Sequence, residues 1–442
     1  MAFRTALDLY TDHRRTSRYK VNRRLLFLAY YFSPHHAVAS VRSTAIASNL
    51  AHMGWDVTVL TIDDSLLLEH DDTLPTNASG NGSLELVRTG HNLRFLFPSA
   101  LRTNNRGAQR LVAGTIRTMG RRLGIEREIG WRRPAQRALN RLDPGGFDMV
   151  LSSGGPWLSH SLAASFARKN RCPYVLDYRD LWCGNPQARQ LASSNERRRE
   201  RQIRDHAAAI TAVAPSIITV QDKLLGPHPN TFVVTNGYEE TAGPNLSVPK
   251  QTAFVAYYGG QFYPPKSTIN PFIKALRLLH DRNPRQELLL QYMGPSAHHV
   301  RRAVTEEGRK EGGGLLKMDI QGRMPRSKAV KTLQQADVAL INALNGECAT
   351  TAEASIITGK FFEVIGHRKP YLIIAPRNSD LHGIVGAAGG GRVFTSAEIE
   401  PMCAYLEEVM SGSPPCYKEP ELFSWGTLSR RMDEILVAAC RR

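Results

Sequence analysis

RLLFLAYYFSPHHAVASVRSTAIASNLAHMGWDVTVLTI, residues 24–62, passes from an apolar run through a helical pattern to a second apolar run. The first run, RLLFLAYYF, suits a strand buried on both faces, because it shows no alternation of polar and apolar positions. VRSTAIASNLAHMG (Val41 to Gly54) reads as a helix with Gly54 placed as its stop, and WDVTVLTI is rich in β-branched residues. Strand, helix and strand in this order predict a βαβ unit, and so a parallel sheet covered by helices.

The same cycle recurs outward from that opening. FDMVLSSGGPWLSHSLAASFARKNRCPYVLDYRDLW reads as strand, glycine turn, helix and strand, and ERQIRDHAAAITAVAPS adds another helix and strand. TNASGNGS, Thr76 to Ser83, reads as an exposed polar turn region. Around NTFVVTNGYEE the first α/β unit ends, and AFVAYYGG begins a second. It continues through helix NPFIKALRLLHD, strand ELLLQYMG, strand MDIQG, helix SKAVKTLQQ, strand DVALINAL, helix GKFFEVIG and strand PYLIIAP. Two doubly wound units fit a chain of 442 residues, which exceeds the size at which one core keeps growing. Such units bind ligands at the carboxyl ends of their strands.

Composition narrows the function classes. With 42% hydrophobic and 22% charged residues the chain is globular, and no run approaches the ~18 uncharged apolar residues of a membrane helix. Its first 24 residues are basic and polar, without a signal-peptide apolar segment, and read as a loose arm. Cys172, Cys183, Cys348, Cys403, Cys416 and Cys440 form no CxxC pair, which fits a reducing cytoplasm and argues against a zinc or iron–sulfur site. A net charge of +17 calls for an acidic partner: nucleic acid, anionic lipid or a phosphorylated substrate.

Motifs separate these. FSPHHAVASVR follows the first strand without a glycine, so the G-x-G-x-x-G dinucleotide fingerprint is absent; no P-loop and no D-x-D triplet occurs. Bound phosphate would therefore meet backbone amides and basic side chains rather than a carboxylate-held metal. YYGGQFYPPKS offers both: Gly259 and Gly260 admit close backbone approach, and Lys266 follows at a fixed offset. A plain strand-to-helix turn with a solvated lysine explains these residues equally well. In TGKFFEVIGHRKPYLII, Thr358 and Gly359 mark a helix start whose free N–H groups favour an anion. Glu363 can accept hydrogen bonds from a vicinal diol such as a ribose, or can serve the helix start as a local carboxylate.

The segments LAYYFSPHHAVASVRSTAIASNLAHMGWDVTVLT, SSGGPWLSHSLAA, LDYRDLW, VVTNGYEE, YYGGQF, ADVALI and GKFFEVIGHRKPYLI fall in one order over Arg23 to Ala439. In that order they resemble the GT-B retaining glycosyltransferases of glycosyl transferase group 1. The resemblance implies an α/β protein of two Rossmann-like domains facing a cleft, the GT-B fold. Its expected parts are a basic arm 1–22, an acceptor domain 23–222, a nucleotide-sugar domain 223–418 and a C-terminal helix 419–442 crossing back to the first. Glu363 matches the family's ribose-binding glutamate and Lys266 its diphosphate-binding lysine. Gly259, Gly260 and Gln261 complete the donor loop.

There are departures from the family pattern. Gln261 stands where many members have arginine, and Lys360 is the expected substitute charge. The family's earlier glutamate would fall at Ser355, with Glu353 two positions upstream. Ala37, Val38 and Ala39 replace the usual glycine loop. In the first domain the resemblance points to His160, after the SSGGPW turn, while Asp177, Arg179 and Asp180 in LDYRDLW end a buried apolar strand, where α/β enzymes place cleft residues. His160, Arg179 and Asp180 are the expected catalytic residues. A buried or surface histidine and an Arg179–aspartate bridge are the plain alternatives.

The expected activity is metal-independent transfer of a sugar from a nucleoside-diphosphate sugar to a glycan or lipid-linked acceptor in cell-surface polysaccharide or glycoconjugate synthesis. The nucleotide sugar is a substrate, and no cofactor is expected. A GT-B-fold sugar-nucleotide epimerase and a basic nucleic-acid-binding protein are the alternatives. Between Arg102 and Arg141, basic residues interleave with apolar ones, with Trp131 expected near an interface. That suggests a peripheral position on the inner, cytoplasmic membrane face, or an ordinary solvated basic surface.

Overall fold

Strand β1 (Arg23–Leu28) is buried on both faces from Leu25 to Leu28, as its unbroken apolar run requires. Helix α1 (Val38–His52) follows and ends where Gly54 takes φ +98°, a conformation disfavoured for side-chain-bearing residues. Strand β2 (Trp55–Ile62) then pairs parallel to β1, Leu25 opposite Val57 and Phe27 opposite Val59. The computed structural model describes residues 23–35, 38–66, 81–92, 127–186, 192–240, 253–311 and 317–441. The arm 1–22, Ala37, residues 76–80 and residues 102–126 of the basic segment lie outside them.

The chain continues through β3 (Leu84–Thr89), α2 (Arg132–Leu139), β4 (Met149–Ser153), α3 (Leu158–Asn170), β5 (Tyr174–Tyr178), α4 (Ser194–Asp205), β6 (Ala209–Ala212), α5 (Pro215–Leu225) and β7 (Thr231–Val233). Its seven strands form one parallel sheet in the order β3-β2-β1-β4-β5-β6-β7. The second sheet is built from β8 (Phe254–Gly259), α6 (Asn270–Arg282), β9 (Leu288–Met293), α7 (Ala297–Glu311), β10 (Lys317–Gln321), α8 (Arg326–Gln335), β11 (Val338–Asn342), α9 (Thr351–Ala354), α10 (Gly359–Gly366), β12 (Tyr371–Ile374), α11 (Leu381–Ala388), β13 (Gly391–Phe394) and α12 (Ile399–Met410). Its order is β10-β9-β8-β11-β12-β13, again parallel throughout. In each sheet the winding reverses beside the first strand, between β1 and β4 and between β8 and β11. That is the switch point at which doubly wound sheets bind ligands.

Contacts divide the chain into Met1–Thr235 with Trp425–Arg442, and Asn236–Ser424. The division after Thr235 falls beyond β7, later than the expected boundary at 222/223, which lies inside α5. Helix α13 (Trp425–Cys440) belongs to the first unit: Trp425, Leu428, Met432, Ile435 and Leu436 join the cluster of Ala45, Ile46 and Leu50 from α1. Trp55 donates its indole N–H to Asp433 at 2.7 Å, fixing the register of α13 on the sheet. The second unit has its own core, in which Phe272, Leu276 and Leu279 of α6 meet Tyr405 and Leu406 of α12.

Candidate functional site

The glycine turn expected to form a donor loop lies at the end of β8 in the second unit. Gly260 donates its N–H to Met293 O at 2.9 Å, and its carbonyl accepts from the Tyr292 hydroxyl at 2.6 Å. That hydroxyl accepts from Ser296 N at 2.9 Å, and Ser296 Oγ accepts from Phe262 N at 3.0 Å. The loop is thus tied down by the far end of β9 before any ligand arrives. Gly294 makes the approach possible, since a Cβ there would lie 2.0 Å from the Gly260 carbonyl oxygen. Backbone cannot swing aside as a side chain can, so Gly294→Ala is expected to cost about 1–3 kcal/mol. A lowered denaturant midpoint at unchanged slope would show it.

Lys360, in the first turn of α10, reaches the same place: its Nζ lies 3.5 Å from the position a Gly260 Cβ would take. Surrounding protein atoms lower its pKa, which Glu363 offsets in part and the nearby Arg323 reinforces. Among the described residues its ammonium has no hydrogen-bond or ion-pair partner. Glu363 lies fifth in α10, past the first turn, so the reading of it as a helix-start carboxylate fails. Its Oε1 accepts from Arg326 Nε at 2.7 Å, with both side chains about 31% exposed. Thr358 precedes the helix without capping it through its side chain.

Lys266 is about 58% exposed, as the plain reading of a solvated lysine has it, and it carries an ion pair as well. Its ammonium donates to Glu353 Oε1 at 2.6 Å, while Glu353 also closes a capping box with Thr350 at the start of α9. The lysine, first among causes, holds the Glu353 carboxyl below its usual pKa. Gln261 is exposed beyond the glycines. The structure therefore brings Gly260 and Lys360 together, places Glu363 one turn on, and gives Lys266 to Glu353.

In the first unit, Asp177 pairs with Arg42 of α1 rather than making the Arg179–aspartate bridge of the plain alternative. Arg42 donates to both carboxylate oxygens, at 2.9 and 2.7 Å, and to the carbonyls of Val234 and Thr235; each side chain is about 1% exposed. Asp177 further accepts from Thr211 at 2.7 Å and Ser153 at 3.2 Å. Burial opposes its charge, but Arg42 and the hydroxyl donors outweigh that and leave its pKa lowered. Arg179 donates instead to Ser153 Oγ at 3.0 Å and to the Gly155 carbonyl. Asp180 is exposed and lies at the same turn: a Cβ on Gly155, whose φ is +73°, would stand 3.3 Å from an Arg179 guanidinium nitrogen and 3.9 Å from Asp180 Oδ2.

His160 is fully buried between Trp157 and Tyr178, its Nδ1 hydrogen-bonded to Ser152 at 2.7 Å and its Nε2 without a partner among the described residues. Desolvation drives its pKa down to about 3. The unfolded chain therefore takes up a proton near pH 6.5 that the folded chain refuses until about pH 3. Stability is expected to fall with pH inside that window, by about 1.4 kcal/mol per unit at most, and His160→Phe should flatten the slope in denaturation at pH 7 and 5. Trp131 corrects another expectation: it is 0% exposed and donates to Thr89 Oγ1 at 2.7 Å, so it is a core residue.

Sequence reasoning missed Arg326, Arg323 and Arg42. The first two carried no signal, since GRMPRS does not say which helix faces it. Arg42 did carry one: it is the sole charge in VRSTAIASNL, on a helix otherwise made of small and apolar residues.

Comparison with known proteins meets this geometry. Residues 39–237 match the glycosyl transferase 4-like domain. Among solved structures, Anabaena HepE in complex with UDP and glucose has TM-score 0.56 and 13% identity, covering 94% of this chain and 100% of its own. Sucrose-phosphate synthase from Thermosynechococcus elongatus has TM-score 0.53 and 13% identity, covering 95% and 97%. A glycosyltransferase from Rickettsia africae has TM-score 0.55 and 10% identity, covering 96% and 100%. No curated protein matches. The two parallel α/β sheets are those of the GT-B fold. No helix among the described residues is long and apolar enough to cross a membrane.

Proposed function

We propose that the protein is a glycosyltransferase that moves a sugar from a nucleoside-diphosphate sugar to a glycan or lipid-linked acceptor with retention of configuration and without a metal. The observation that carries this reading is the Lys360 ammonium poised beside Gly260 at the switch point of the second sheet, with Glu363 one turn along the same helix. Support comes from the glycosyl transferase 4-like match of residues 39–237 and from the GT-B fold shared with HepE, which was solved with UDP and glucose.

In this scheme the ribose diol donates to the Glu363 oxygen that Arg326 leaves open, and the diphosphate lies along the Gly259–Gly260 turn. Lys360 and Arg323 supply the positive charge that Gln261 does not, and Lys266 exchanges Glu353 for a phosphate oxygen. As the bond from the anomeric carbon to the diphosphate oxygen breaks, the new bond to the acceptor oxygen forms on the same face, and the acceptor proton passes to the departing diphosphate. The cations stabilise the charge that grows there, which is electrostatic catalysis. On the first unit, Asp180 and Arg179 are assigned to the acceptor side. His160 enters as a neutral imidazole supporting the turn after β4.

A thermal-shift panel of nucleoside diphosphates and their sugars tests the reading. At about 100 times Kd, a ligand specific to the folded state adds about 2.7 kcal/mol, which moves the midpoint by a few degrees. No shift with any member of the panel would overturn the assignment.

A further inference from the structure

A second basic site lies in the helical layer of the first unit, where α2, α3 and α4 enclose a groove of about 370 Å³. Arg132 comes from the start of α2, Arg168 from the last turn of α3, where its Nε donates to the Ala164 carbonyl at 3.3 Å, and Arg199 from the middle of α4, so three elements contribute arginines to one lining. Gln136 and Gln202 line it as further donors. Its floor is apolar: Leu158, Leu162 and Ile203 are all buried.

Charge balance makes the groove selective. Helices α2 and α3 contain no acidic residue. The carboxylates of α4 nearest to Arg199 are both committed, Glu196 to the capping box with Ser193 and Glu200 to the buried backbone N–H of Cys183. Among the described residues none of the three arginines has an ion-pair partner. Like charges gathered around a cavity repel one another, and the repulsion is relieved when an anion enters. Guanidinium forks match phosphate oxygens in pairs, whereas a carboxylate offers too few acceptors for three of them.

We propose that this groove binds a phosphate-bearing ligand, separate from the nucleotide-sugar site of the second unit. The phosphate sits among Arg132, Arg168 and Arg199, and whatever it esterifies rests toward the floor of Leu158, Leu162 and Ile203. A soluble phosphoester and a lipid headgroup share this chemistry.

The test uses the full chain carrying Lys360→Ala, so that the proposed donor site does not report. Inorganic pyrophosphate is titrated by calorimetry, and vesicles of phosphatidylglycerol or of phosphatidylcholine are sedimented with the protein. Each is repeated after adding Arg168→Gln with Arg199→Gln, or the exposed Arg285→Gln as a charge control. Saturable pyrophosphate binding that weakens about tenfold or more in the double substitution, and not in Arg285→Gln, supports the site with a soluble ligand. The same dependence seen with phosphatidylglycerol vesicles alone supports it with a headgroup. Binding that survives the double substitution, binding lost equally in Arg285→Gln, or no binding to either probe overturns it. Melting curves of each variant confirm that the exposed replacements leave the fold intact.

Discussion

Glu363→Ala is expected to weaken nucleotide-sugar binding about a hundredfold or more while leaving the second unit folded. A hydrogen bond to a charged group contributes about 1.5–3 kcal/mol, so losing two from a ribose diol weakens binding by two orders of magnitude or more. The cost to stability is far smaller, because the Arg326–Glu363 pair is about one-third exposed and such pairs contribute about 0–1 kcal/mol. Calorimetry with a nucleoside diphosphate and a melting curve measure the two quantities on one sample. If affinity drops less than threefold, Glu363 is a surface partner of Arg326 and the ribose role fails. Glu363→Gln should fall between, since an amide still accepts one bond.

Arg42→Ala is expected to show the reverse pattern, a large stability loss with no direct part in ligand contact. It would leave Asp177 about 1% exposed and without its counter-ion, a change that costs about 3–5 kcal/mol. Against a total of about 5–15 kcal/mol for a domain, that places the first unit near its unfolding threshold. The pair also carries an acid signature. The Asp177 pKa is lowered in the folded state, so its stabilisation is present above the unfolded value of 3.8 and is lost as pH falls through the folded one. This window lies below most of the His160 window, and acid titration of wild type and His160→Phe separates them. Arg42→Met with Asp177→Leu should recover part of the loss, because apolar side chains remove the buried charges together.

How much of this was legible beforehand depended on whether the signal was local. The central strands were legible, since Leu25 to Leu28 and Tyr371 to Ile374 are unbroken apolar runs that only a two-faced burial accommodates. Strands β3 and β13 were not read: LELVRT and GRVF are short, mixed in polarity and at the sheet edges, where one side faces solvent. The glycine turn and α10 were visible in sequence, but the pairing of Lys266 with Glu353 spans 87 positions and that of Glu363 with Arg326 spans 37. Pairings over such separations follow from topology, which a single sequence does not print. His160 shows the same limit, since its burial comes from Trp157 and Tyr178 closing around it.

Helix α13 sets an order of events during synthesis. Its side chains fill a core whose other walls come from residues between Leu25 and Val234, yet the whole of Asn236–Ser424 is translated between them. The second unit can emerge and close on itself while the first still exposes the apolar places of Met432, Ile435 and Leu436. At about 5–20 residues per second, translating that interval takes on the order of ten seconds or more. During it the nascent first unit presents an open greasy face to chaperones, and a chain that stops at Ser424 would carry that face permanently.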